Sequence, residues 1–193
     1  MDIKDWKNNF AQAIGAESDQ YLQAVKVAIT LNVKLGDNYT ITGHSLGGGL
    51  ASVAALAAKH QAVTFNSAGI HPKTIENFDK THINEQVKAL RVDGEILTGI
   101  QENGMMDLVG TVLTPIKYIK DLVAPNAGSG FMPISAYDAI GSKFKIPAVD
   151  LKGKAMLSYK SFNLLISLDL HGMNYVVKSL DFIGKTRGGG YDI

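Results

Sequence analysis

The sequence predicts an α/β fold with a mostly parallel sheet flanked by helices, and three observations support this prediction. Short runs rich in β-branched residues predict strands at 39–42, 62–66 and 87–92. Residues 46–60 are rich in alanine and predict a helix whose small side chains allow close packing on a sheet. A strand, a helix and a second strand at this spacing are typical of parallel strands joined by a crossover helix.

The remaining segments predict further helices and one long loop. Apolar residues recur at helical spacing over 19–34 and 173–183. Residues 162–168 are mostly apolar and fit either a strand or a buried helix, whereas residues 125–147 are rich in Gly, Pro and Ser and predict a loop. The stretch 105–123 predicts one amphipathic helix or two, which would either pack on the sheet or form a lid over a binding site.

Length and composition exclude several classes of protein. The 193 residues predict a single domain over 1–193, and 46% hydrophobic against 19% charged residues are typical of a folded chain. The formal net charge of +1 provides no strong field for nucleic acid, and the absence of cysteine excludes disulfides and thiolate-bound metals. The polar first residues do not fit a signal peptide, and no apolar run is long enough to span a membrane. We therefore expect a protein that is cytoplasmic or exported without a signal peptide.

A G-x-S-x-G pattern centred on Ser45 lies between a predicted strand and a predicted helix, which is the setting of a nucleophile elbow. The sharp turn would present Ser45 above the sheet, and Gly43 and Gly47 would remove Cβ atoms that otherwise collide across it. At the start of the helix, the N–H of Leu46 would stabilise a developing oxyanion. The side chain of His44 would point away from the reacting face.

A serine becomes a strong nucleophile only when a base accepts its proton, and His171 is the best candidate for that base. It follows an apolar segment and precedes a predicted helix. It also lies far enough after Ser45 to leave room for a further strand and an acid, as the chain order serine, acid, histidine requires. Three other histidines, at a helix end or in polar loops, are explained more simply as surface or capping residues: His60, His71 and His82.

Two carboxylates follow the predicted strand at 87–92 and are candidates for the acid that orients the histidine. Asp93 and Glu95 are two residues apart, so on an extended chain they would face the same side. Geometry alone does not separate them. One would hold the imidazole tautomer and stabilise the imidazolium, and the other would be a solvated loop charge.

Residues 43–51, Gly-His-Ser-Leu-Gly-Gly-Gly-Leu-Ala, resemble the elbow of the class 3 lipases, and more narrowly that of bacterial lipase-like domains in phospholipase effectors and toxins. The runs at 65–69, 94–98 and 171–173 are similar to that group in order and spacing. The resemblance implies an α/β-hydrolase-like fold. It also implies a serine carboxylic-ester hydrolase, of lipase or phospholipase type, that acts on lipid-like esters and contacts the membrane surface peripherally. It implies no metal and no organic cofactor.

The same resemblance assigns roles to the candidate residues. In that family an acid precedes a short apolar pair and a Pro, Ser or Thr, as Glu95 does here, which favours Glu95 over Asp93. Ser45 would attack the ester carbonyl, and His171 would accept and return the proton. A Glu in place of the commoner Asp requires the loop to lie slightly further from the histidine.

One departure from the family concerns the start of the chain. Family members carry an upstream strand that ends in a Gly-Thr-type loop and donates a second oxyanion N–H, whereas this chain begins just after the place expected for it. The sequence thus predicts a fold shortened at the N-terminus. Either a short N-terminal segment replaces the missing strand, or a partner chain or second copy completes the edge, or the edge stays incomplete. An alternative function follows, in which a weakly active or inactive hydrolase fold is an interaction module or one part of a split effector. The sequence leaves open the headgroup, the acyl length, the positional preference and the choice between hydrolysis and acyl transfer.

Overall fold

A computed structural model describes residues 19–99, 101, 137–156 and 164–186 of the chain. The elements in chain order are α1 (Asp19–Leu35), β1 (Ile41–His44), α2 (Leu46–Ala58), β2 (Ala62–Phe65), a 3₁₀ helix (Pro72–Ile75), α3 (Ile83–Gln86), β3 (Val87–Val92), β4 (Ser142–Ile146), α4 (Leu164–His171) and α5 (Met173–Thr186). Helical backbone also follows β3 at 96–99. None of the helices in these segments combines the length and apolar content needed to cross a bilayer.

The four described strands form one parallel sheet in the order β1-β2-β3-β4, which confirms the α/β class. Gly43 pairs with Thr64 in the register of β1 and β2, and Leu90 pairs with Phe144 in the register of β3 and β4. Because all four strands run the same way, their carboxyl ends meet at one edge of the sheet. Ligand sites in open parallel sheets lie beyond that edge.

Helices cover both faces of the sheet. On one face, the alanines of α2 allow close approach, and Ala55 packs with Ala62 and Val87 in a buried cluster. Tyr21 of α1 packs in turn on residues of α2, so α1 forms an outer layer there. On the other face, a second buried cluster joins the sheet to α4 and α5; its members are Leu90, Val92, Ile146, Leu170 and Val176.

The structure corrects the predicted loop at 125–147 and decides between strand and helix for the stretch at 162–168. The predicted loop at 125–147 contains β4, whose exposed Lys143 and Lys145 gave the segment a polar, loop-like composition. Strand β4 is an edge of the described sheet, and lysines are common on edge strands because their charge opposes pairing with another chain. The ambiguous apolar stretch at 162–168 is helical from Leu164 onward.

Four sequence predictions depend on parts of the chain that the structure does not describe, or on partners that it does not contain. The amphipathic stretch at 105–123, with its reading as a lid or a packing helix, lies outside the described residues. So does everything before residue 19, where the shortened N-terminal edge was expected. Strand β1 is an edge of the described sheet, and its completion by a partner chain stays a prediction. That residues 1–193 form one domain also stays a prediction.

Candidate active site

Ser45 occupies the sharp turn between β1 and α2, in a backbone conformation that only a few non-glycine residues adopt. Its φ is 56° and its ψ is −125°. Such strain persists only where the surroundings hold it in place. Here the N–H of Ser45 donates to the carbonyl oxygen of Phe65 at 3.1 Å, and the carbonyl of Ser45 accepts from the N–H groups of Gly48 and Ala68 at 3.0 and 2.9 Å. The turn after β2 therefore holds the turn after β1.

The glycines around Ser45 differ in whether a side chain would fit in their place. A Cβ atom on Gly43 would lie 2.0 Å from the carbonyl oxygen of Gly47, so the turn cannot close around a larger residue. A Cβ atom on Gly47 would meet nothing within 4 Å among the described residues, so they show no collision of the kind predicted for Gly47. The second crowded position is Gly48, where a Cβ would lie 2.9 Å from that of Ser67. The crowding comes from the neighbouring turn, which the local sequence pattern does not reveal.

His171 lies at the end of α4, between Ser45 and Glu95, and is 3% exposed. Its Nε2 lies 2.9 Å from Oγ of Ser45, and its Nδ1 lies 2.8 Å from Oε2 of Glu95. An ionised carboxylate can only accept a hydrogen bond, so Nδ1 carries the hydrogen and Nε2 is free to accept one from the serine hydroxyl. The three side chains thus form a continuous chain of hydrogen bonds across the carboxyl edge of the sheet.

The carboxylate of Glu95 is fully buried and is surrounded by donors. Besides His171, it accepts hydrogen bonds from the N–H of Leu97 at 2.9 Å and from both the N–H and the hydroxyl of Thr98. Burial alone would raise the pKa of Glu95, but the hydrogen bond and charge of His171, together with the bonds from Thr98, lower that pKa below its ordinary value. The carboxylate is therefore held in the ionised form that the hydrogen on Nδ1 requires.

A pH-dependent contribution of Glu95 to stability follows from that shift. Because its pKa is lower in the folded than in the unfolded chain, Glu95 stabilises the fold above the ordinary value of 4.5, and this contribution is lost as the pH falls below that value. We expect Glu95→Gln to remove that part of the acid dependence. The measurement is urea unfolding of both proteins from pH 7 down to pH 3.

The control for this prediction is Glu76→Gln, which replaces an exposed carboxylate at the end of the 3₁₀ helix. It should unfold with the wild-type dependence on pH. If Glu95→Gln loses stability below pH 4.5 as steeply as the wild type does, Glu95 does not have the lowered pKa described above.

Asp93 lies close to Glu95 in sequence but not against His171. Its side chain is half-buried, and its N–H donates to the carbonyl oxygen of Ile146 at 2.9 Å, which continues the pairing of β3 with β4. Gly94 has a φ of 79°, so the chain turns between the two carboxylates instead of remaining extended. The condition of an extended chain is therefore not met, and it is the Glu95 carboxylate that contacts the imidazole.

His44 is oriented differently from the sequence expectation, because its ring lies against His171. Its Nε2 donates to the backbone carbonyl oxygen of His171 at 2.7 Å, and the two ring centres are 4.8 Å apart. Burial lowers the pKa of His44, and the hydrogen bond to the carbonyl opposes this only in part. His44 is therefore a neutral donor that contacts the candidate base.

The N–H of Leu46 is the first of helix α2, where backbone donors have no partner within the helix. The N–H groups of Gly48 and Gly49 both bond to the carbonyl of Ser45, whereas that of Leu46 has no backbone acceptor among the residues described. It is thus available to a negatively charged oxygen next to Ser45. The source of a second oxyanion donor stays open, since the sequence shows no upstream strand for it and the residues before 19 are not described.

Two residues that contact this site, Asn66 and Thr98, appeared in the sequence only as members of the similar runs, and no contact was predicted for either. Asn66 directly follows β2, is fully buried and has a φ of 43°. An asparagine as the last residue of a predicted strand is a usable signal, because asparagine tolerates the left-handed conformation better than most residues. Within the described segments, His, Cys, Asp and Glu side chains form no group of three or more suited to a metal ion.

A parallel α/β sheet with a strained serine and a histidine at its carboxyl edge is the framework of a hydrolase of the lipase class. A family model described as phospholipase-like, a Tle-like phospholipase domain, matches residues 1–138. The chain belongs to this family, which confirms the resemblance to bacterial lipase-like phospholipase domains. The matched part includes Ser45 and Glu95, whereas His171 lies beyond it.

A curated relative points to the same class of protein. Over 74 residues the chain is 50% identical to an extracellular phospholipase A1 from Serratia liquefaciens. The similarity covers 38% of this chain and 23% of the relative, so it spans less than a quarter of that protein's length. The two comparisons together support a lipid-ester hydrolase as the class of protein.

Proposed function

We propose that this protein is a serine carboxylic-ester hydrolase that cleaves phospholipids through Ser45, His171 and Glu95. One observation carries the proposal: the hydrogen bonds of 2.9 and 2.8 Å that link the three side chains at a strained strand-to-helix turn. Membership of a phospholipase-like family supports the choice of a lipid ester over other esters.

The proposed reaction begins when Oγ of Ser45 attacks the ester carbonyl carbon and Nε2 of His171 takes the hydroxyl proton. The carbonyl oxygen becomes an oxyanion beside the N–H of Leu46. His171 then gives its proton to the departing alcohol, which leaves an acyl group on Ser45. Water attacks this acyl-enzyme, His171 takes the water proton, and the fatty acid leaves as Ser45 regains its proton.

Glu95 is proposed to remain ionised throughout. Its carboxylate accepts from Nδ1 of His171, so it stabilises the positive charge that the imidazole gains in each half of the reaction. The donors from Leu97 and Thr98 hold the carboxylate in place before the charge develops, so little reorganisation is needed during the reaction. Asp93 has no part in this mechanism.

The relative is a phospholipase A1, and we propose the same positional preference here: release of the fatty acid from position one of a glycerophospholipid. Because such substrates reside in membranes, the protein would contact the bilayer surface peripherally. The relative is also an extracellular protein, and export of this chain is proposed on that ground alone.

The test is reaction of the full-length chain with a fluorophosphonate, followed by measurement of the intact mass. A fluorophosphonate reacts much faster with an activated serine than with an ordinary one, so the expected result is a single adduct that Ser45→Ala abolishes. The matched control is Ser67→Ala, which removes a buried hydroxyl near the elbow that bonds to the carbonyl of Ala68. This control should retain the adduct.

Vesicles of phosphatidylcholine with different labelled fatty acids at positions one and two would then test the substrate. Release of the first label by the wild type, but not by Ser45→Ala, is expected. Release of the second label alone would contradict the proposed preference and show that the ester at position two is cleaved. Absence of an adduct in a folded sample would refute the serine hydrolase and favour the interaction module.

A further inference from the structure

The backbone carbonyl oxygen of His171 accepts two hydrogen bonds from side chains. Nε2 of His44 donates to it at 2.7 Å, and Nδ2 of Asn66 donates to it at 2.9 Å. A carbonyl oxygen has two lone pairs, so both of its acceptor sites are occupied. The donors come from the carboxyl ends of two neighbouring strands, β1 and β2, and they fix the backbone of the candidate base from two directions.

The carboxamide of Asn66 makes further bonds that reach the acid side of the site. Its Nδ2 also donates to the carbonyl of Leu170 at 3.1 Å, and its Oδ1 accepts from the N–H of Val92 at 2.9 Å. Val92 ends β3, and its carbonyl accepts the N–H of Glu95 at 3.1 Å. The carboxamide therefore lies between the strand that leads to the acid and the helix that ends at the base.

The backbone next to Asn66 reaches the nucleophile as well. Phe65, the residue before it, accepts the N–H of Ser45 at 3.1 Å, and Asn66 itself donates its N–H to the carbonyl of Leu90 at 2.9 Å. A single buried residue thus lies at the junction of the three segments that carry the serine, the acid and the histidine.

We propose that Asn66 and His44 are positioning residues that hold the His171 imidazole in register with Ser45 and Glu95 by fixing the backbone carbonyl of His171. This inference rests on the proposed function, since positioning matters only if His171 transfers protons. Nε2 of His171 must serve first the hydroxyl of Ser45 and then the departing alcohol. A misplacement of about 1 Å in such a group can cost on the order of a hundredfold in rate.

The alternative is that these bonds only cap helix α4. The last carbonyl groups of a helix lack partners, and the carbonyls of Leu170 and His171 would need some donor in any fold. Capping and positioning differ in what they change: loss of a cap lowers stability, whereas loss of positioning lowers kcat at an unchanged KM. The experiment therefore measures kinetics and stability on the same variants.

His44 offers the more conservative test, because two substitutions separate its hydrogen bond from its bulk. His44→Phe keeps a ring against His171 and removes the donor, whereas His44→Gln keeps an N–H donor in a flexible side chain. We expect His44→Phe to lower kcat about tenfold to a hundredfold on a soluble short-chain ester, with KM unchanged. His44→Gln should recover most of that loss.

Asn66 is tested by substitutions that respect its backbone conformation. Asn66→Gly removes the carboxamide but adopts a φ of 43° without strain. Asn66→Asp keeps the shape and the acceptor, but places a buried carboxylate against two carbonyl oxygens. Both variants should lower kcat at least as much as His44→Phe does. Where Asn66→Asp does not fold, Asn66→Gly and the His44 pair still decide the question.

Two further measurements would be unchanged in the variants if His44 and Asn66 had a purely structural role. The midpoint of the acid limb of the kcat/KM profile should move in His44→Phe and Asn66→Gly, because the protonation of the base depends on its alignment with Glu95. The downfield proton resonance of the hydrogen on Nδ1 of His171 should broaden or shift in the same variants. Both readouts should return towards wild type in His44→Gln.

The proposal is overturned if folded His44→Phe and Asn66→Gly keep kcat within twofold of wild type. It is equally overturned if their losses follow the melting temperature and His44→Gln fails to recover activity, because the contacts are then only a cap. A wild-type chain that forms no fluorophosphonate adduct contradicts the proposed function itself. These outcomes are distinct, since the last one concerns the unsubstituted protein.

Discussion

Ser45→Ala is expected to lower kcat for ester hydrolysis about a million-fold, and His171→Ala is expected to lower it to a similar residual rate. The two side chains are 2.9 Å apart, and in the proposed mechanism His171 takes the proton of Ser45, so removing either one removes the attacking alkoxide. The double variant should therefore be no slower than either single variant. The remaining rate would come from substrate binding and the oxyanion donor at Leu46.

The acid should matter less than the nucleophile or the base. Glu95→Gln keeps the shape of the side chain but leaves Nδ1 of His171 without a carboxylate, and we expect a loss of about ten-thousandfold in kcat. The matched control is Asp93→Asn, which alters the other carboxylate of the same turn and should keep kcat near that of the wild type. Equal losses in the two variants would contradict the assignment of Glu95.

These rates are measured on a soluble ester with the full-length chain, and folding is checked by circular dichroism. His82→Ala is a further control, since this exposed imidazole bonds only to Glu85 among the residues described. It should retain the wild-type kcat. Activity in His171→Ala within tenfold of wild type would remove this histidine from the mechanism, and losses that add in the double variant would mean that the two residues act independently.

Gly43→Ala is expected to disrupt the elbow, whereas Gly47→Ala is expected to leave it intact. The new methyl group at position 43 would lie 2.0 Å from a backbone oxygen, which cannot move aside as a flexible side chain could. We expect a loss of about 3 kcal/mol or more in the free energy of unfolding. At position 47 the methyl group would enter open space in the first turn of α2, so the change should stay within about 1 kcal/mol.

Urea unfolding of both variants, together with fluorophosphonate labelling, checks this contrast. Gly43→Ala should lose the adduct along with its stability, and Gly47→Ala should be labelled in its folded state. Because the space beside Gly47 is open, reduced turnover in Gly47→Ala at full stability would indicate that substrate occupies this space. Comparable stability losses in the two variants would contradict the turn geometry described above.

Much of the framework could be predicted from the sequence because local patterns encode it. Strand β3 has the predicted bounds, 87–92, since a run of mostly apolar and β-branched residues is typical of a buried strand. The turn at Ser45 was predicted from the pattern G-x-S-x-G. Gly43 is required there because a Cβ atom at this position would clash with Gly47, only four residues further along the chain. The phospholipase-like family was also predicted from short motifs.

Strand β4 could not be predicted, because its local signal resembles that of a loop. Lys143 and Lys145 are exposed, and Phe144 is only partly covered, so the alternation of buried and exposed residues is weak. The segment becomes a strand by pairing with β3, and this pairing joins residues more than fifty positions apart. Such pairing is decided by tertiary contacts more than by intrinsic preference.

The sequence by itself determined the fold class, the family and the identity of Ser45 and His171 as candidates, because each depends on composition, short motifs or chain order. Only the tertiary structure decided which carboxylate contacts His171, since the turn at Gly94 separates Asp93 from Glu95. It also decided the contacts of Asn66, whose partners in α4 lie 104 and 105 residues away. Hydrogen bonds between such distant residues leave no periodic trace in a sequence, because they exist only after the sheet has brought its strand ends together.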